Sequence, residues 1–578
     1  MTTPTRPLAV EQVKRASRAL RGSIAEELTS TRSSFSRSNV RLLKFHGVFQ
    51  KDNRDERSRC RDEGLTRCYQ FTVRIRPAGG KLSAEQMLGV FDLADAVGDG
   101  NVRITARQGM QLHAVAKRRL KATLRRIAEL NLTTLGGGGD VNCNVMCCPA
   151  PSLSEEVHRS LQEIAARVSD ALMVDDAAYR EIWQADRVAS SPVETAGRIA
   201  PDPLYGPTYL PHKFKVGIAL PEDNCSDVYA QDVGLLAVCE AGRLLGFNVL
   251  VGGGMGRILS AARSFPALAQ PLVFARVEDV VPLVTTVVKI YRDFGNRSDR
   301  GKARLKYLVD SWGLERFRQA VEEQLGRRLA LPRPLEVTGY EDHLGWHEQA
   351  DGRWCLGIYV DGGCIGNRDT GNGDTGSLKA ALRDILARVG CDVRLTPQQN
   401  LLLAGIEASR RDDIKEILAG HDVPGVEQLS NVRRWSMACP ALPTCSAAIT
   451  EAQRIVPELL AALEAELSEL GLSDERFTLR VTGCPNGCTR SYLADLALVG
   501  RSIDVERNVE KFAIFIGGDT LGRRLNTLYQ DLVPADQVVP LLRRLLRRYQ
   551  QQRHDGESLG DFFARLGVDQ LQSGTVDT

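Results

Sequence analysis

The sequence predicts an α+β protein assembled from two related halves, and three observations carry that prediction. VRITARQGMQLHAV (Val102–Val115) returns as VRLTPQQNLLLAGI (Val393–Ile406). Each copy follows a strand-like run closing on Gly-Gly, FTVRIRPAGG up to Gly80 and CLGIYVDGG up to Gly363, with a helical segment between run and motif. GFNVLVGGGMGR (Gly246–Arg257) is in turn matched by FAIFIGGDTLGR (Phe512–Arg523). Repetition on this scale fixes architecture. The order reads A–B–A′–B′, and the irregular mixing of helices and strands within each unit favours α+β over a doubly wound sheet.

The chain is long enough for several domains, at 578 residues with 43% apolar and 25% charged side chains. A net charge of +3 is far from the excess of a nucleic-acid binder or membrane-surface protein. No stretch is apolar for long enough to span a bilayer, and MTTPTRPLAVEQVKRASRALRG has basic residues but no apolar signal core. A cytoplasmic location with reduced thiols is therefore expected for the fourteen cysteines. Most of Cys60, Cys68, Cys225, Cys239, Cys355, Cys364 and Cys391 stand alone and read as core or incidental. The Pro-rich stretch around residues 190 to 207 and the Gly/Asp-rich GNRDTGNGDTG read as linkers.

Along the first half, three strands present cations. Alternation puts Arg74 and Arg76 on one face of FTVRIR, Arg103, Thr105 and Arg107 on another, and Lys213 and Lys215 on a third in PHKFKVGI. Each strand alone reads as an ordinary solvent face. Three of them beside a metal site point to a shared cationic cavity for a polyanionic cofactor or a small oxyanion. GGGG (Gly136–Gly139) and GGGMGR (Gly252–Arg257) read either as anion-approaching backbone or as plain tight turns. Neither fits a dinucleotide or P-loop pattern, so a redox reaction here takes its electrons from a partner.

In the last unit, Ile449, Ala452, Val456, Leu459, Leu463, Leu467 and Leu470 recur at helical spacing, with Gly471 at the C-cap and Pro457 a candidate kink. This sets Cys445 at or just before a helix start, and FTLRVTG (Phe477–Gly483) reads as the strand that delivers Cys484 and Cys488. The helix brings two clips together, WSMACPALPTC with Cys439 and Cys445 as C-x5-C and, thirty-eight residues on, TGCPNGC with Cys484 and Cys488 as C-x3-C. Structural zinc and four unrelated core thiols are the competing readings. The spacing, set in Pro/Gly turns within a large apolar fold, favours an iron–sulfur site over both.

With these residues assembled, the chain resembles the sulfite/nitrite reductase family over nearly its whole length, specifically its sulfite reductase hemoprotein (beta) component branch. ACPALPTC, TGCPNGC, YLPHKFK, GFNVLVGGGMGR and the duplicated VR-[IL]-T block carry the resemblance. It implies a pseudo-two-fold repeat of ferredoxin-like and siroheme/iron–sulfur-binding modules. Residues 1–70 would be an N-terminal extension wrapping the core, and 71–136 and 331–420 ferredoxin-like half-domains. Residues 137–330 would be a siroheme-domain copy without cluster cysteines, and 421–578 the copy carrying them. The implied cofactors are siroheme and a [4Fe-4S] cluster on Cys439, Cys445, Cys484 and Cys488, with Cys488 also an axial ligand of the siroheme iron. By the same resemblance Arg103, Arg107, Gln111 and Asn486 lie near the macrocycle, and Arg74, Lys213 and Lys215 hold the substrate anion.

The resemblance further implies six-electron reduction of sulfite to sulfide in assimilatory sulfur metabolism, serving cysteine biosynthesis. Electrons would come from an NADPH-dependent flavoprotein alpha subunit, or alternatively from ferredoxin, with no nucleic-acid or membrane partner. Two positions depart from the family. DVNCNVMCC puts Cys143 where a third substrate cation is usual, and His212 stands where arginine is usual. Nitrite reductases share the cysteine motifs, while the paired lysines of Lys213-Phe214-Lys215 resemble the sulfite type. The reading from another class is a non-catalytic cluster- or zinc-binding regulatory module, which predicts no tetrapyrrole. The basic segment VPLLRRLLRRYQQQR reads as a solvated helix face or, alternatively, a surface for an acidic partner.

Overall fold

A computed structural model describes residues 9–64, 67, 69–151, 155–185, 200–257, 264–366, 376–504, 506–507 and 509–573. Of the two segments read as linkers, residues 190–199 and 367–375 lie outside the described residues. Four five-stranded sheets, in two matched pairs, carry the fold. In the first, Val48–Asp52, Tyr69–Ile75, Met110–Val115 and Val102–Ile104 are followed by Cys364–Ile365, a strand supplied by the second half. In its counterpart, Gly345–Glu348, Trp354–Ile358, Leu401–Ile406 and Asp392–Leu395 are completed by Lys81–Leu82 from the first half. Each ferredoxin-like half thus lends the other its edge strand.

The two remaining sheets share one plan of two parallel ladders followed by two antiparallel ones. Met146–Cys147, Val216–Ala219, Val233–Glu240, Arg243–Val251 and Gln270–Arg276 form one. Ser436–Ala438, Leu479–Thr482, Leu496–Asp504, Val509–Ile516 and Thr527–Pro534 form the other. The helices predicted between run and motif are Ala84–Val97, capped at Ser83, and Gly376–Val389. Met87, Val90, Phe91 and Ala94 of the first are buried, the stripe that a period of 3.6 predicts.

Two glutamines show the two-fold relation at atomic detail. Gln108 Nε2 donates to Leu395 O at 2.9 Å, and Gln399 Nε2 donates to Ile104 O at 3.2 Å. Their carbonyl oxygens accept from Cys147 N at 2.9 Å and Ala438 N at 3.2 Å. These are equivalent positions of the VR-[IL]-T repeat, so each half anchors its neighbour by the same bond.

One element departs from expectation. The apolar helix covers only Val456–Glu469, with Pro457 in its first turn and not at a kink. Proline lacks an N–H to offer the helix interior, so the helix starts there. Residues 446–455 instead form turns, with Ile449 N and Thr450 N donating to Gly483 O and Gln453 N to Cys439 O, and Cys445 is not at a helix start. The far end is as predicted, with Gly471 at φ +64° and Leu472 N closing on Leu467 O at 2.8 Å. The basic helix, Ala535–Gln552, packs inward through Leu541, Leu542, Leu545 and Leu546, and its Arg543 pairs with Glu466 and Glu469. Among the described residues no helix is long and apolar enough to cross a membrane.

Candidate active site

The cysteine clips meet because the strands before them are parallel neighbours. Cys439 directly follows Ser436–Ala438, Cys484 follows Leu479–Thr482, and Ala438 is in register with Val481. Both chains leave the sheet at the same end, as a site at the carboxyl ends of parallel strands requires. Gly483 N donates to Cys439 Sγ at 3.3 Å, and Asn486 Nδ2 donates to Cys484 Sγ at 3.4 Å. Burial first, and then the neighbouring Cys488 thiol, push Cys439 and Cys484 up to about 12. Cys445 closes its turn by donating its N–H to Ala441 O at 2.8 Å. Cys488 and Asn486 are exposed. The loop is clamped from the N-terminal segment, where Arg54 donates to Ala448 O at 2.7 Å and Ser446 O at 3.1 Å.

Of the cations singled out in the sequence, Arg74 lies within reach of the Cys445 and Cys488 thiols, while Arg107 and Lys215 lie near Cys143 with Lys213 beside them. Burial pushes Arg74 below the usual guanidinium range, against the opposing pull of the Cys143, Cys488 and Cys445 thiols. Its geometry is fixed on three sides. Nη1 donates to Gly137 O at 2.9 Å, the guanidinium lies 4.5 Å over the Phe49 ring, and Nε and Nη2 donate to the Gln111 amide oxygen at 3.2 Å each. That amide is oriented with its oxygen toward Arg74 and its nitrogen donating to His113 Nε2 at 2.8 Å, since the reverse would aim donors at donors. Gln111 is itself buried beside Arg74.

Arg107 donates to Gln231 Oε1 at 2.6 Å, Asn144 O at 2.7 Å and Val216 O at 3.1 Å, all neutral acceptors, and burial pulls it down to about 10. It does not project from a strand face with Arg103. The strand ends at Ile104, and Arg107 lies in the tight turn to Met110–Val115. Arg103 pairs with Asp99 at 2.9 Å, leaving Nη1 buried and unpartnered. Lys215 is pushed well below the usual lysine range by burial, then by Arg107, Lys213 and Arg304. Among the described residues neither Lys213 nor Lys215 has a carboxylate within ion-pair distance, nor an acceptor for its ammonium.

Arg76 does not join this cluster. Past the end of its strand it turns into the core and donates to Leu135 O at 3.3 Å and Ser169 Oγ at 3.0 Å. Cys143 sits among the cations, acting on Arg74, Arg107 and Lys215, and is buried. Lys51, on the edge strand Val48–Asp52, was not signalled by any motif. It is pushed down by burial and lies within reach of Cys445, Arg74, Cys488 and Arg103.

The GGGMGR loop packs against the second clip, with Arg257 N donating to Pro485 O at 2.9 Å. A Cβ on Gly253 would come within 2.3 Å of Gln231 O and 2.4 Å of Tyr229 O, so this glycine serves close backbone packing. Asp227 and Arg490 lock the halves together from below. Asp227 is fully buried, 3.1 Å from Arg480 and in a shorter pair with Arg490. Arg490 also donates to Ala106 O at 2.6 Å and Pro397 O at 3.0 Å. Gly217 pairs with Gly234 in one half as Arg480 pairs with Ala497 in the other, which makes Asp227 and Arg490 equivalent positions of the repeat.

Comparison with known proteins gives the same organisation. The family described as "Nitrite and sulphite reductase 4Fe-4S domain" matches residues 138–329 and 430–577, and "Nitrite/Sulfite reductase ferredoxin-like half domain" matches 67–130 and 347–421. The chain is 40% identical to the sulfite reductase [NADPH] hemoprotein beta-component of Geobacillus kaustophilus, covering 97% of this chain and 96% of that one. It is 39% identical to the sulfite reductase [ferredoxin] of Synechococcus elongatus, covering 98% and 91%. The solved structure of the Mycobacterium tuberculosis NirA protein shares the fold, with TM-score 0.76 at 24% identity over 98% of each chain.

Proposed function

The chain belongs to the nitrite and sulphite reductase family, and we propose that it reduces sulfite to sulfide by six electrons delivered through an NADPH-dependent flavoprotein partner, in assimilatory sulfur metabolism leading to cysteine. One observation supports this reading: Cys445 and Cys488 of the two clips lie within electrostatic reach of Arg74 and Lys51, and Lys213 and Lys215 gather with Arg107 nearby without a carboxylate partner among the described residues.

The residues fit the two groups the family implies. N–H donors already point at two of the sulfurs, Gly483 N at Cys439 Sγ and Asn486 Nδ2 at Cys484 Sγ. Cys439, Cys445, Cys484 and Cys488 would hold a [4Fe-4S] cluster. The buried, unpartnered donors Arg103 Nη1 and Arg107 Nε suit a polycarboxylate macrocycle, so Arg103, Arg107, Gln111, Asn486 and Cys488 would surround siroheme. Siroheme coupled to the cluster supplies, when bound, an iron that takes the sulfur atom of the substrate and a store of single electrons.

The chain's own work is charge and proton handling. Sulfur passes from +4 to −2, and three oxygens leave as water, each needing protons. Arg74, Lys213 and Lys215 neutralise the anion and donate hydrogen bonds to its oxygens. Arg74 arrives oriented by Gly137 and Gln111. Lys215, desolvated beside other cations, gives up a proton readily and serves as the proton donor to a departing oxygen. Cys143 leaves one fewer positive charge than the family's usual set, a difference worth on the order of 1.5 to 3 kcal/mol for one charge-assisted contact.

Steady-state sulfide production from the cofactor-loaded protein, with the flavoprotein and with ferredoxin as donors, tests the proposal. Turnover of sulfite with the flavoprotein is expected. Nitrite turnover far above sulfite turnover would overturn the substrate, and activity with ferredoxin alone would overturn the donor in favour of the reading that the Synechococcus elongatus relative represents.

A further inference from the structure

We propose that the first half carries its own metal site, a single zinc ion held by Cys148, Asp223, Cys225 and His343. The two-fold relation locates it. Met146-Cys147-Cys148-Pro149-Ala150 repeats Met437-Ala438-Cys439-Pro440-Ala441, and the strand pairing keeps the same register, Cys147 with Ile218 and Ala438 with Val481. Cys225 lies as far beyond Ile218 as Cys488 lies beyond Val481. Cys148 therefore occupies the place of Cys439, and Cys225 the place of Cys488. Pro221 stands where Cys484 would be, so the thiols needed for a cluster are not all present. A carboxylate from the same loop and an imidazole from a third segment complete the set instead.

The ligand atoms of the four side chains all lie within 4.8 Å of one another. Bonds of about 2.0 to 2.3 Å at tetrahedral angles put zinc ligands about 3.3 to 3.8 Å apart. Here Cys148 Sγ is 3.6 Å from His343 Nε2, His343 Nε2 is 3.2 Å from Asp223 Oδ2, and Cys148 Sγ is 2.8 Å from Asp223 Oδ2. Cys148, Asp223 and Cys225 are buried, and the His343 side chain is 10% exposed. Two thiols, an imidazole and a carboxylate are a zinc set, borderline in softness and sufficient for a closed tetrahedron.

The surroundings are those of a ligand shell. Cys225 N at 3.1 Å and Glu341 N at 3.2 Å both donate to Asp223 Oδ1, which leaves Oδ2 directed at the group. His343 holds φ +59°, a conformation costly for a non-glycine residue and kept only where surrounding structure dictates it. Two thiolates and a carboxylate on Zn²⁺ leave one negative charge, and Arg394 lies alongside, donating to Pro149 O at 3.0 Å. A cavity of about 790 Å³ lined by Cys148, Asp223 and His343 opens the group to entry. With every position filled by protein the site is structural. It pins the exits of two strands of the first half to the segment leading into Gly345–Glu348 of the second.

Elemental analysis and zinc-edge X-ray absorption of the full chain, purified without chelator, test this independently of turnover. We expect about one zinc per chain, with two sulfur and two nitrogen or oxygen scatterers, and loss of that zinc in Cys148→Ser/Cys225→Ser with iron content unchanged. If that variant fails to fold, His343→Gln and the wild-type absorption spectrum decide, with His343→Gln lowering zinc occupancy several-fold. Zinc-free protein, a Cys148–Cys225 disulfide by mass spectrometry, four sulfur scatterers around the zinc, or full occupancy in the variants would each overturn the proposal.

Discussion

Asp227→Asn is the most informative single perturbation of the scaffold. The carboxylate is fully buried and is shared by Arg480 and Arg490, whose side chains are 2% and 6% exposed. The amide keeps the shape and removes the charge, leaving two buried guanidinium groups with only neutral partners, carbonyls, a phenol and the Met437 thioether. Breaking a buried ion pair by removing one partner costs about 3–5 kcal/mol. That is a large share of the roughly 5–15 kcal/mol that separates folded from unfolded protein. Arg490 lies two residues beyond Cys488, so the loss should also loosen the second clip and lower iron occupancy. The assay is equilibrium urea unfolding of wild type, Asp227→Asn, Arg490→Gln and the double variant. The expected result is a loss of about 3 kcal/mol or more for Asp227→Asn, with the double variant losing clearly less than the two single losses combined. A loss under about 1 kcal/mol, or strict additivity, would refute a load carried by this pair.

Three further outcomes follow from the same geometry. Gln111→Leu removes two bonds to Arg74, about 1 kcal/mol each, and should raise KM for sulfite about 30-fold while leaving kcat nearly unchanged; an equal fall in kcat would show that Gln111 acts on the chemistry directly. Lys215→Met should lower kcat for sulfite by about 100-fold, the scale of a lost general acid, as measured by steady-state sulfide release. Asp140, between Lys14 and Arg300, is lowered to about 2 from 3.8, first against burial by the Arg300 hydrogen bond and then by Lys14. Its depressed folded value means that its stabilisation is present above the unfolded value and is lost as pH falls toward 2. Thermal unfolding should show the gap between wild type and Asp140→Asn shrinking by about 2 kcal/mol over that window, and a gap independent of pH would contradict it.

What could be read from the sequence was what lies close in the chain. The VR-[IL]-T repeat announced two related halves because each copy is local. The exchange of Lys81–Leu82 for Cys364–Ile365 was not legible, since each strand's partner lies in the opposite half. Helical periodicity ran seven residues too far toward the N-terminus, to Ile449, because apolar residues in turns can fall at helical spacing by packing alone; the proline was the better boundary signal. Strand alternation misplaced Arg76 and Arg107, since both strands end one to three residues earlier and the side chains turn away. Lys51 carried no signal, as an edge-strand lysine is usually solvent-facing. Clip spacing alone leaves Cys225 incidental, although the fold brings it within 4.8 Å of Cys148, Asp223 and His343. The shared Met-x-Cys-Pro-Ala pattern at Cys148 and Cys439 was the signal that would have found its partner.

We propose that Cys488 belongs at once to a cluster and to a siroheme opposite the cations Arg74, Lys213 and Lys215. Mössbauer spectroscopy of the iron-57-enriched protein, in wild type and in Cys488→Ser, tests it most directly. Magnetic coupling between a tetrapyrrole iron and a [4Fe-4S] cluster is expected in wild type, and its loss in the variant. A fully loaded wild type without tetrapyrrole iron, or coupling that survives in Cys488→Ser, would contradict it.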